Sequence, residues 1–438
     1  MKCRLSVGLI LLSSAVHGSA AESALRAGAA RVDITPPVGE LPLPFKSIHD
    51  PVYVRALMLD NGATRAAIVV ADVPAIEAGV YADITRRISA TNNVPPAHIV
   101  LAASHTHNSM RVASDNAGNS VGGTDRFIAS VVAASLEAVK QAAARLQPVR
   151  AGYAAGRSYL VSNRNQWLEE QHRLIEGIDR TGTQPVDPTL AVFRFETLSG
   201  EPVAYLLNYG IEPVVDIGQS GEISGDVPGE AARYIEARTG GRAVALFTIG
   251  PANSPSYRVQ ADPATGLRDA DRTHRIMTAM GTILGEEAMA AAESVRRPAT
   301  TLHIAGALKT LQCPGQVTTP RNLLGECSNA PGAKVPACNF RTVDGPPVTL
   351  SFGVLKLGDV ALVQADANVV PAVGDRLRRA SPLVNTVVAL TNFGPFRYVV
   401  DDASYPLNTF EVTSTRARQG CGEQGFVDGV LRMMDELR

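Results

Sequence analysis

Apolar positions fall along this chain in two rhythms. Mostly apolar runs at 54–59, 66–71, 99–103, 190–195, 203–208, 243–249, 350–355, 360–363 and 384–390 have the length of strands buried on both faces. Elsewhere the apolar spacing lengthens to three and four residues. Phe127, Ile128, Val131, Val132, Leu136, Val139 and Leu146 mark a helix that Thr124 and Asp125 can cap and Pro148 ends. Asp226-Val227-Pro228 opens a second that closes at Gly240-Gly241, and Ile276, Met277, Met280, Ile283, Leu284 and Ala288 mark a third. A fourth is expected at 369–379, with Asp366 as a candidate cap, and a last amphipathic one at 426–437. Asp60-Asn61-Gly62, between the first two runs, predicts a hairpin. Hairpin-like pairs and helix-linked strands occur together. The expected fold class is therefore α/β, a mixed β-sheet core in one sheet or two, flanked by helices.

The first residues follow a different pattern. Lys2 and Arg4 precede a mostly apolar stretch at 5–16 and the small residues Gly18-Ser19-Ala20-Ala21, so 1–21 reads as a signal peptide and the expected location is secreted or periplasmic. No Ser/Gly/Pro linker or run of like charge divides 22–438, which is read as a single domain. An oxidising compartment makes disulfides the default for the four cysteines beyond the leader, Cys313, Cys327, Cys338 and Cys421, with three pairings open. Three of them crowd a Pro/Gly-rich stretch without a histidine, which favours a stapled loop over a zinc site. A formal charge of −1 gives no field to attract nucleic acid or anionic lipid, and no transmembrane segment is expected after the leader.

Chemistry is concentrated where the 99–103 run ends, at Ser104-His105-Thr106-His107. Ligand-binding groups commonly sit at the carboxyl ends of strands in α/β folds. In extended backbone the two imidazoles share a face about 7 Å apart, so one metal could bind both only if the chain bends. Gly118-Asn119-Ser120-Val121-Gly122 matches a serine nucleophile elbow but has a polar stretch in place of the required strand, so it reads as a glycine-rich connection.

Several segments, in order, resemble the N-terminal catalytic domain of the neutral/alkaline ceramidase family. They are Val32-Asp33-Ile34-Thr35-Pro36-Pro37-Val38-Gly39, His49-Asp50-Pro51 with Arg55-Ala56-Leu57, Ala71-Asp72, Ala103-Ser104-His105-Thr106-His107, Asn163-Arg164 and Asp187-Pro188. Leu207-Asn208-Tyr209, Ser224-Gly225-Asp226-Val227-Pro228-Gly229, Tyr398, Tyr405 and Phe410-Glu411 complete the series. The resemblance implies a metal-dependent amidohydrolase that cleaves the N-acyl bond of ceramide or a related lipid amide with one zinc ion. It makes His105 a zinc ligand, Tyr398 the tyrosine ligand or a neighbour of it, His107 a proton carrier at the catalytic centre, Arg164 the cation beside the scissile amide, and Asn163 and Asp226 residues of the substrate site.

Two positions depart from the family pattern. Glu212, in Tyr209-Gly210-Ile211-Glu212-Pro213, stands where the family has a second histidine ligand, and Asn368, in Ala365-Asp366-Ala367-Asn368, stands where it has a glutamate. A neutral amide binds zinc weakly, so the expected ligand set becomes His105, Glu212, Asp366 and Tyr398, harder and richer in oxygen. The competing expectation is a degenerate, non-catalytic relative that keeps a lipid or small-molecule pocket.

Overall fold

The computed structural model describes residues 24–438 apart from 116–120, 170–172, 177–178, 180–181, 183, 217–219, 253–268, 320–326, 329–336, 339–340, 393 and 408. The leader at 1–21 and positions 118–120 of the elbow-like stretch lie outside the described residues.

Twelve strands form one sheet. In chain order they are β1 (Arg26–Asp33), β2 (Tyr53–Asp60), β3 (Arg65–Ala71), β4 (Ile99–Ala103), β5 (Gln147–Arg157) and β6 (Thr189–Thr197). They continue with β7 (Pro202–Tyr209), β8 (Val244–Ile249), β9 (Ile304–Thr319), β10 (Arg341–Leu357), β11 (Val360–Ala365) and β12 (Asn385–Leu390). The spatial order is β9-β10-β11-β12-β8-β7-β6-β5-β1-β2-β3-β4. Pairs β3/β4, β7/β8 and β11/β12 are parallel and the others antiparallel, so the sheet is mixed.

The sheet folds over on itself. Strands distant in its order touch, β8 against β2 and β3 and β12 against β4, and Ala103 N–H donates to Thr391 O at 3.0 Å across the fold. Between the facing halves lies an all-strand core containing Leu57, Leu59, Ile68, Phe193, Phe195, Leu206, Leu246, Leu355 and Leu362. The alternate residues, Val54, Ala56 and Met58 on β2 and Ala361 and Val363 on β11, enter other cores under helices. Both faces are thus buried, which is why the runs read as continuously apolar.

Among the described residues, seven α-helices cover the outside: α1 (Ala78–Asn92), α2 (Asp125–Ala144), α3 (Asp226–Arg238), α4 (Ala270–Glu293), α5 (Pro371–Ala380), α6 (Phe410–Ser414) and α7 (Gly422–Glu436). Thr124 caps α2 as expected, its hydroxyl accepting from Phe127 N–H at 3.2 Å. Asp366 does not cap α5, which begins after Val370 without a side-chain cap. One helix, α2, is long and apolar enough to cross a membrane by length and composition alone, a test that the core helix of a globular domain also passes. Its Phe127, Val131, Ala138, Val139 and Ala142 are buried against β1 to β4.

Several elements, among them β1, β5, α1 and β9, escaped the apolar pattern. β1 and β5 are rich in alanine and glycine because helices approach them closely; a Cβ on Gly28 would meet Ala142 O of α2 at 2.2 Å. α1 has only Ile84 and Ile88 fully buried. β9 is a long arm paired with β10, interrupted by a register shift between Cys313 and Gly315. Asp60-Asn61-Gly62 does join a hairpin, with Asp60 opposite Arg65, and Gly62 adopts φ of 81°. One of the three open pairings is realised, Cys313 with Cys421, which ties β9 to the start of α7. Cys327 stands opposite Cys338 in a short antiparallel pair.

Candidate active site

The site lies beyond the carboxyl ends of β4, β5 and β7. At the end of β4, Ser104 and His105 extend the backbone pairing to Ala71 O and Val73 O at 2.8 and 3.1 Å. His105 then turns the chain with φ of 59°, a left-handed conformation rare for a non-glycine residue. This is the bend that shared ligation demands. It brings the His105 and His107 rings edge to face with centroids 5.1 Å apart. Thr106 points the other way, donating to Ser224 O at 2.9 Å and accepting from Asn108 N–H at 3.1 Å.

His105 is buried, and its Nδ1 lies 2.7 Å from Pro74 O. A carbonyl only accepts, so the proton sits on Nδ1 and the lone pair of the neutral ring is on Nε2. Burial first, and the charge of Arg164 second, push the imidazole down to about 4, against the Pro74 hydrogen bond. It is therefore neutral at physiological pH, as a metal ligand must be.

Glu212, buried just past β7, completes a trio: ligand atoms of His105, His107 and Glu212 lie within 4.8 Å of one another. Two imidazoles and a carboxylate are a competent donor set for a divalent transition metal. The residues thus fit an ion, with one restriction. Glu212 also pairs with Arg164, whose Nε lies 3.4 Å from Glu411 Oε1 and whose guanidinium sits 4.5 Å over the Phe410 ring. Glu411 in turn accepts from Asn165 Nδ2 at 2.7 Å.

The other expected residues separate into neighbours and outliers. Tyr398 is buried against Phe410, ring centroids 6.1 Å apart, and stands opposite Asn368 in a short parallel pair. Neither polar atom of the fully buried Asn368 amide has a hydrogen-bond partner among the described residues. Asn163 shapes the loop, donating to Pro185 O at 2.6 Å and accepting from Asn165 N–H at 2.8 Å. Asp366 is outside the trio; its Oδ1 accepts from Ser351 N–H at 2.9 Å, and burial pushes its carboxyl up to about 6.

Asp226 begins α3 with φ of 52° and accepts from Asn108 Nδ2 at 3.1 Å and Val227 N–H at 2.6 Å. Burial foremost, with the charges of Asp216 and Asp50, pushes its carboxyl from 3.8 up to about 7. Between those values the folded state holds a proton that the unfolded state has released, so this group's stabilising contribution is complete below pH 3.8 and lost by pH 7. Asp226→Asn removes the titration. Its stability advantage over the parent is expected to grow by about 1.4 kcal/mol per pH unit from about pH 4 to 7 and then level off. Urea unfolding of both proteins across that range measures it, and a pH-independent gap would refute it.

Two residues went unassigned in the sequence. Glu411 was visible only as part of a resembling pair, and Asn108 only as a polar neighbour of His107. Their signal is the Arg164 and Asp226 contacts, which join positions distant along the chain.

Histidines, a carboxylate and a guanidinium thus meet at the strand ends of a mixed α/β sheet. No protein-family model and no curated protein sequence matches the chain. Among solved structures it is similar to neutral ceramidase from Pseudomonas aeruginosa, at 20% identity over 95% of this chain and 75% of that one, with a TM-score of 0.75. A ceramidase complexed with C2 gives 19% identity, 95% and 76% coverage and a TM-score of 0.74. At these identities the likeness is one of fold.

Proposed function

We propose that the chain is an exported hydrolase that cleaves the N-acyl bond of ceramide or a related lipid amide. The observation that carries this reading is the His105/His107/Glu212 trio beside Arg164, placed at the strand ends of a ceramidase-like fold. Buried His105 and Glu212 would hold a zinc ion, with Tyr398 and Asp366 as further ligands proposed from the sequence. Bound there, the metal would polarise the amide carbonyl and acidify water. Pro74 fixes the His105 tautomer through Nδ1. Arg164, held by Glu411, presents a forked guanidinium that can stabilise the oxyanion. His107 is half-buried where its partners are buried, so it is the member of the trio with access to solvent and carries the proton. Asn163 and Asp226 shape the substrate side of the site. The Cys313–Cys421 bond agrees with a secreted or periplasmic location.

Elemental analysis and turnover on a panel of ceramides, N-acyl amino acids and simple esters test the proposal together. The parent should carry about one zinc at this site and hydrolyse an amide. His105→Ala should lose the ion of this site and turnover, and His107→Ala should keep that ion while kcat falls about 10²- to 10⁴-fold. Loss of the metal in His107→Ala would make that residue a ligand instead.

One observation favours a second reading, a small-molecule binding protein without catalysis. Arg164 already occupies the Glu212 carboxylate, and the uncharged Asn368 amide stands where the resemblance expects an acidic ligand. No metal held by His105 and Glu212 after incubation with zinc, manganese and iron, and no turnover across the panel, would select it.

A further inference from the structure

A second ligand cluster lies outside the site just described. The short strand Ser47–Ile48 runs parallel to Glu222–Ile223, with Ser47 opposite Glu222. His49 follows the first strand, its N–H donating to Ile223 O at 2.9 Å. His274, on the first turns of α4, stacks on it with ring centroids 3.6 Å apart and planes 13° from parallel. Its Nε2 is 2.8 Å from Glu222 Oε2, while Ser47 donates to Glu222 Oε1 at 2.9 Å. Ligand atoms of His49, Glu222 and His274 lie within 4.8 Å of one another.

We infer that His49, Glu222 and His274 form a second metal site, for a zinc-like divalent transition ion. Stacked imidazoles cannot both be charged without repelling, and a neutral imidazole offers a lone pair to a metal. The charges of Asp50 and Asp216 act on His274 together with that of Glu222, so the surroundings are anionic. Ser47 fixes one carboxylate oxygen and leaves the other facing the imidazole, as an oriented ligand requires. Two nitrogens and one oxygen select zinc, cobalt, nickel or copper over calcium and magnesium. The cluster is exposed on its His49 side, so an ion can enter from solvent.

The site is separable from the inner trio, and the inference does not depend on the proposed activity. Calorimetric titration of chelator-treated full-length protein with zinc chloride should show one more binding event in the parent than in a His49→Ala/His274→Ala variant. That event should persist in His105→Ala. Glu222→Gln, which preserves size and the contact with Ser47, should weaken it at least about tenfold. Circular dichroism confirms that each variant is folded. Equal zinc stoichiometry in the parent and the double variant, or loss of the event in His105→Ala with the double variant unaffected, would overturn the inference.

Discussion

Arg164→Met is expected to lower the unfolding free energy by about 3–5 kcal/mol at neutral pH and to abolish turnover. The side chain of Arg164 is 2% exposed, those of Glu212 and Glu411 5% and 2%, and one guanidinium faces both carboxylates. Removing it strands two acids in a medium that resists their charge. For Glu411, burial already pushes the pKa up and Arg164 is the largest force pulling it back, so the variant must raise it further. A folded pKa above the unfolded one contributes stability below the unfolded value and loses it as pH rises. The deficit of Arg164→Met should therefore be larger at pH 8 than at pH 5, as read from denaturant midpoints. An equal deficit at both would show that shape, not charge, holds the loops.

The second large effect is remote from the chemistry. Cys313→Ala/Cys421→Ala should cost roughly 4–5 kcal/mol, because the bond closes a loop with a sequence separation of 108. Cys313 is buried among Val348, Phe352 and Phe426, so the loss combines freed chain entropy with a slackened apolar cluster. Thermal unfolding of the variant and the parent measures it. A shift no larger than that of a surface substitution would mean that packing alone holds α7 to the long β9–β10 arm.

The contrast between what the chain declares and what it conceals has a physical origin. Runs such as 66–71 and 243–249 are apolar because both faces are buried, between the sheet halves and under helices, and that environment leaves little choice of residue. β1 and β5 were silent because helix contact selects for small side chains, which carry no strand signature. In the site, His105 and His107 were legible from their place after a buried strand, but the left-handed turn that brings them together is set by Val73 and Pro74 on a neighbouring loop. Glu212 was visible as a departure from a pattern. That its partner would be Arg164 could not be read from neighbours in sequence, since the contact is made only when loops after β5 and β7 converge.

The ion pair between Arg164 and Glu411 spans most of the chain, and His105 lies further upstream still. During synthesis the first histidine is therefore made some three hundred residues before the last carboxylate of the centre. A growing or prematurely terminated chain exposes Arg164 without its counter-charges and has no assembled site. Contacts of such separation slow folding, because long loops must close before any contact rewards them. The same separation means that a fragment ending before Glu411 cannot complete the Arg164 pair or the charge balance of the proposed site.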